Sequence, residues 1–119
     1  MAISIVHLVT GEQVITKLDE VKDPESGESV CFQFTMPMAC TLVPNPDDVE
    51  NPSLNFFAWS PFSSSREFRV GFEKIVAVCD PTWKCLETYV SVVHPLHPTI
   101  MTEDEYEQFK VEQKQREKS

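Results

Sequence analysis

The chain has 119 residues, 41% hydrophobic and 24% charged, with a formal net charge of −9. That length carries one domain with a real core, and the charge excludes a non-specific nucleic-acid binder coated in basic residues, whose affinity comes from neutralising phosphates. No apolar run reaches the ~18 residues of a membrane span, and Met1-Ala2-Ile3-Ser4-Ile5 lacks the basic and apolar regions of a secretory leader, so the expected location is the cytoplasm.

Ile3 to Val9 alternates Ile3, Ile5, His7 and Val9 against Ser4, Val6 and Leu8, the period of a strand. Thr10-Gly11-Glu12 is a tight turn, and Gln13 to Val21 is the returning strand of a hairpin. Lys22 to Ser29 is turn chemistry throughout. Val30 to Val43 alternates again over a long strand, with Val30, Phe32, Phe34, Met36 and Met38 on one face. Pro37 predicts a bulge or an edge near its middle. Pro44 to Ser53 is an acidic connection that lacks the ligand spacing and glycine of a calcium loop, so it reads as solvated.

Asn55-Phe56-Phe57-Ala58-Trp59-Ser60-Pro61-Phe62 is the next strand. Phe56, Ala58 and Phe62 share one face, and Phe57, Trp59 and Pro61 the other. Both faces are apolar, so this strand is expected to be covered twice, by a helix of the same chain or by a neighbouring subunit. Ser63-Ser64-Ser65-Arg66 is a polar turn. Glu67 to Val78 reads as one long curved strand, with Phe68, Val70 and Phe72 on one face and a bend at Gly71.

Asp80-Pro81 predicts a helix over about 81–94, with Asp as cap and Pro at its first position. Trp83, Leu86, Val90 and Val93 fall at helical spacing with Tyr89 beside them, an apolar face expected to close the open end of a small barrel, and Pro95 and Pro98 end it. Thr102-Glu103-Asp104-Glu105 is a capping box opening a charged helix through about Lys114, docked by Tyr106 and Phe109 and frayed at its end. The expected fold class is all-β: a small five-stranded, strongly bent barrel with C-terminal helices. Residues 1–98 make up the barrel and its packed helix, and 99–119 a charged helical tail.

Cys31, Cys40, Cys79 and Cys85 form no CxxC and read as small buried hydrophobes in a reducing compartment, ahead of a metal or disulfide role. His94 and His97 alone do not make a metal site, and His7 reads as a satisfied barrel residue. Phe57 and Trp59 read as packing residues ahead of base-stacking ones. No nucleophile has an activating partner and no glycine-rich phosphate loop exists, so no enzymatic activity, cofactor or metal is expected.

Three stretches carry a family resemblance: Leu8-Val9-Thr10-Gly11-Glu12-Gln13-Val14-Ile15-Thr16-Lys17-Leu18, Phe57-Ala58-Trp59-Ser60-Pro61-Phe62, and Ile75-Val76-Ala77-Val78-Cys79-Asp80-Pro81 leading to Leu86 and Tyr89. In order and spacing they resemble the Sm-like proteins, and more narrowly those attributed to marine cyanophages. The resemblance implies a homo-oligomeric ring in which the fourth strand of one subunit pairs with the fifth of the next. Here that joins Asn55–Phe62 to Glu67–Val78 and puts Phe56, Phe57, Ala58, Trp59, Phe68, Val70 and Phe72 at the subunit interface. It also implies single-stranded RNA or DNA held near the pore by two loops, here Lys22–Ser29 and Ser63–Arg66. Lys22 and Arg66 would be the cations and Ser63, Ser64 and Ser65 the donors. The chain departs from the family in lacking an Arg-Gly pair with a nearby Asn after the fourth strand, and in starting its first strand at Ile3 without a preceding helix. Two functions are therefore expected: a ring that binds nucleic acid, or an oligomeric scaffold whose charged C-terminal helix docks another protein.

Overall fold

A computed structural model describes residues 3–118. The leader reading at Met1 and Ala2 and the end of the tail at Ser119 lie outside the described residues.

The alternating segments form strands β1 (Ile3–Leu8), β2 (Gln13–Lys22) and β3 (Ser29–Val43). The β1–β2 turn uses Gly11 at φ 92°, open to glycine and strained for a side chain, and the Gly11 N–H donates to the Leu8 carbonyl at 2.9 Å. Three more strands follow, β4 (Ser53–Ala58), β5 (Glu67–Val70) and β6 (Ile75–Cys79). All pairings are antiparallel, in the order β4-β3-β2-β1-β6, with β5 also on β3. Pairing stops at β4 and β6, so among the described residues the sheet is open.

Six strands replace the expected five because the segment after Arg66 breaks. Gly71 is followed by a single 3₁₀ turn, Phe72–Lys74, that carries the chain from the edge of β3 to the edge of β1. The aromatic strand ends at Ala58, four residues short of Phe62, because Ser60-Pro61 turns the chain.

β3 serves two partners along one edge. Phe32 to Thr35 pair with β5, and Met38 to Val43 with β4. Between them lies a bulge: β2 opposes Lys17 to Thr35 and Ile15 to Met38, so Met36 and Pro37 share one opposing position. Met36 takes φ 52°, rare for a side chain with a Cβ. Its N–H donates to the Arg66 carbonyl at 2.8 Å, and the Pro37 carbonyl accepts from the Trp59 N–H at 3.2 Å. The bulge switches the faces of the strand. Phe32 and Phe34 point into one cluster, whereas Met36, Met38 and Cys40 join the other, although all five occupy even positions.

Each face of the sheet therefore has its own core. One cluster packs Val6, Leu8, Val14, Phe34 and Val70, with Trp59 against Phe34 and Phe68 against Trp59. The other packs Ile3, Ile5, Ile15 and Met36 under helices α1 (Trp83–Val93) and α2 (Glu103–Glu117). Leu86, Tyr89, Val90 and Val93 are the buried stripe of α1, each stabilising by about 1.5–3 kcal/mol. This helix covers a face of the open sheet. It starts two residues later than the first-position proline predicted. Thr82 is the cap, its hydroxyl accepting from the Cys85 N–H, and Asp80 and Pro81 precede it.

The capping box of α2 forms as read, with Thr102 and Glu105 exchanging hydrogen bonds. The helix runs past Lys114 to Glu117 and packs antiparallel on α1. Tyr106 stacks on His94 at 3.8 Å, Phe109 meets Trp83 at 5.3 Å, Gln113 donates to Glu87, and Arg116 lies 4.5 Å over the Trp83 ring. Phe109 shares a buried cluster with Ile3 of β1.

Candidate functional site

The residues expected to contact nucleic acid do not come together within one chain. Lys22 ends β2, opposite Ser29, while Arg66 sits beside Met36, seven positions away along β3 or roughly 20 Å of strand. The guanidinium of Arg66 donates to the carbonyls of Ser63 and Ser65 in its own turn. Ser63 and Ser65 hydroxyls likewise serve that turn: Ser63 accepts from the Ser65 N–H, and Ser65 bonds to Glu67. Ser64 is exposed at its tip. The turn that starts near the Lys22 end of the sheet is instead Gly71 to Lys74. Val70 lies opposite Phe32, and the Phe72 ring meets Phe32 edge-on at 5.0 Å. Lys74 is exposed at the far side of that turn, its carbonyl accepting from the Val9 N–H at 2.9 Å beside the β1–β2 turn. Sequence reasoning missed this turn because the break at Gly71 read as a bend within one strand.

The residues expected at a subunit interface divide. Phe56 packs against the helix-covered core, and Trp59, Phe68 and Val70 belong to the other core, so these four pack inside the chain itself. Phe57, Ala58 and Phe72 are exposed. The free edges of the sheet are apolar at both ends. Phe57 on β4 is 51% exposed, and Val76 and Val78 on β6 are 69% and 44% exposed.

A cleft of about 610 Å³ opens where α1 stops covering the sheet. Its floor is β1, β3, β4 and β6 through Ile5, His7, Cys40, Leu42, Leu54 and Cys79. Its rim is the start of α1, with Thr82, Lys84 and Cys85. Burial pushes the Cys40 thiol up to about 11, and its Sγ–H donates to the Met38 carbonyl at 3.7 Å. Cys79 is exposed, against the reading of all four cysteines as buried hydrophobes, because β6 is an edge strand whose last side chain faces the cleft. His7 lines the same cleft, its Nε2 3.8 Å from Cys79 Sγ. Among the described residues no three His, Cys, Asp or Glu side chains converge as a metal site. His94 and His97 are engaged elsewhere, with Tyr106 and Thr99. No helix described is long and apolar enough to cross a membrane.

No curated protein matches the chain. Residues 1–94 match a family of unknown function, DUF6561, over a stretch that takes in all six strands and α1. The chain belongs to that family.

Proposed function

We propose that the protein is a ring-forming Sm-like protein whose assembled ring binds single-stranded RNA or DNA. The observation that carries this reading is the pair of open sheet edges. Exposed apolar strands invite another strand, and a closed ring of identical subunits satisfies every edge at once. In this reading β6 of one copy, with Val76 and Val78, adds to β4 of the next, with Phe57. In this reading the open sheet bends within each subunit toward a barrel, helped by the 3₁₀ turn at Phe72–Lys74 that joins the β3 edge to the β1 edge. The ring repeats Lys22 around one end, and that local focus of positive charge draws phosphate against a net charge of −9.

The second reading is a protein-binding scaffold without nucleic acid. It is favoured by Arg66, whose guanidinium is held by its own turn, and by the acidic, outward-facing first turn of α2 at Glu103 and Asp104.

Both readings predict an oligomer, and light scattering on the eluting protein measures its mass. Val76→Lys places a charge on the β6 edge and is expected to reduce that mass to one chain while leaving the fold intact. A chain that is monomeric at high concentration overturns the ring. Fluorescence anisotropy of short labelled RNA on the intact oligomer then separates the readings. Saturable binding that weakens with salt and with Lys22→Ala supports the nucleic-acid reading. No binding at low salt selects the scaffold.

A further inference from the structure

The cleft beyond the start of α1 gathers Cys40, Cys79, Cys85 and His7 around one apolar hollow. The β1–β6 register sets Cys79 opposite Ile5 and Ala77 opposite His7, so Cys79 and His7 are diagonal neighbours on one face. That geometry gives the 3.8 Å approach of Sγ to Nε2. The thiols differ in kind. Cys40 is partly buried, and its raised pKa keeps it neutral and unreactive. Cys79 is exposed and has an imidazole within reach of its proton. A thiol reacts as its thiolate, and a neutral imidazole at this distance is the usual way to make one. The other titratable groups facing the cleft are Asp80 after β6 and Lys84 and Cys85 in the first turn of α1.

We propose that Cys79 and His7 form a thiol-exchange site for small disulfides with an apolar body. Ile5, Leu42 and Leu54 offer that body an apolar wall. In the step, the proton of Cys79 Sγ passes to His7 Nε2, and the sulfur attacks one sulfur of the incoming disulfide. The disulfide bond breaks, and the leaving thiolate takes the proton from His7. The products are a mixed disulfide at Cys79 and one free small thiol. The Cys79 sulfur is oxidised, the leaving sulfur is reduced, and the small disulfide is the oxidant. The site does not depend on ring assembly, because Cys79 points into the cleft and not along the open edge of β6.

The test is a stopped-flow reaction of the full chain with dithiobis(nitrobenzoate), followed by peptide mapping. One fast phase per chain is expected, at least about tenfold faster than the other thiols, and it maps to Cys79. Cys79→Ser abolishes it and Cys31→Ser leaves it. His7→Gln slows it about tenfold near neutral pH, and the gap closes in alkaline solution, where the thiol ionises unaided. Four thiols reacting alike, a fast phase mapping to another cysteine, or a rate that His7→Gln leaves unchanged across pH overturns the proposal. Mapping on the unsubstituted chain needs no variant to fold.

Discussion

At Tyr89 a single hydroxyl serves the bulge of β3. The side chain is fully buried, and its O–H reaches the Met36 carbonyl at 2.9 Å and the Thr35 carbonyl at 3.3 Å. Thr16 donates to the same Thr35 carbonyl from the opposing strand. Tyr89→Phe leaves the Met36 carbonyl short of a donor and is expected to cost about 1–2 kcal/mol in urea unfolding. Burial also holds the phenol protonated well above its ordinary value of 10. Its contribution is therefore full below about pH 10 and lost as pH rises through the folded value, so the stability gap between parent and Tyr89→Phe narrows in alkali. The tyrosine was legible as part of an apolar stripe, since Leu86, Tyr89, Val90 and Val93 keep helical spacing. Its purpose was not. The residues of β3 alternate without interruption from Val30 to Met38, so nothing local reveals that Met36 turns to the opposite core. Pro37 predicted a bulge but not the exchange of faces. Cys79 was misread for a related reason: an apolar run looks the same in a central strand and at an edge.

Among the elements, α2 is the one most fully written in its own residues. A capping box is a contact between neighbours in sequence, so Thr102 and Glu105 announce it without knowledge of the fold. Thr102→Ala is expected to cost about 1 kcal/mol of stability. The backbone N–H of Thr102 holds the Glu105 carboxyl below its ordinary value. A lowered pKa contributes above the ordinary carboxylate range and is lost as pH falls through the folded value, so the first turn of α2 loosens in acid. Circular dichroism of Glu105→Gln against the parent checks this, the variant showing the weaker acid response. The length of α2 was less legible. Sequence ended it near Lys114, but Arg116 over Trp83 holds the last turn, a contact between residues far apart in the chain. The cap of α1 was read at Asp80, before a first-position Pro81. The structure uses Thr82, and Asp80 lines the cleft.

Across the whole molecule, the strand order was legible and the strand partners were not. Hairpins β1–β2 and β2–β3 follow from their turns, but β5 on β3 and β6 on β1 are pairings between distant segments. The candidate site suffered most. Lys22 and Arg66 were drawn together only by the ring that the family resemblance implies, and within one chain they lie seven positions of β3 apart. The two partners of β3 have a consequence for motion. The Met36–Pro37 bulge interrupts the ladder, so the half carrying β4 and the half carrying β5 have no shared run of hydrogen bonds on that edge. Hydrogen exchange should resolve β3 into two opening units. Amides from Cys40 to Val43 are expected to exchange faster, since beyond Ala39 β3 has left β2 and pairs with β4 alone, beside a long proline-rich connection. Phe32 to Phe34 sit between β2 and β5 over the Phe34–Trp59 core and are expected to exchange only with global unfolding. A single strand would then carry both the loosest and the most persistent protons of the sheet.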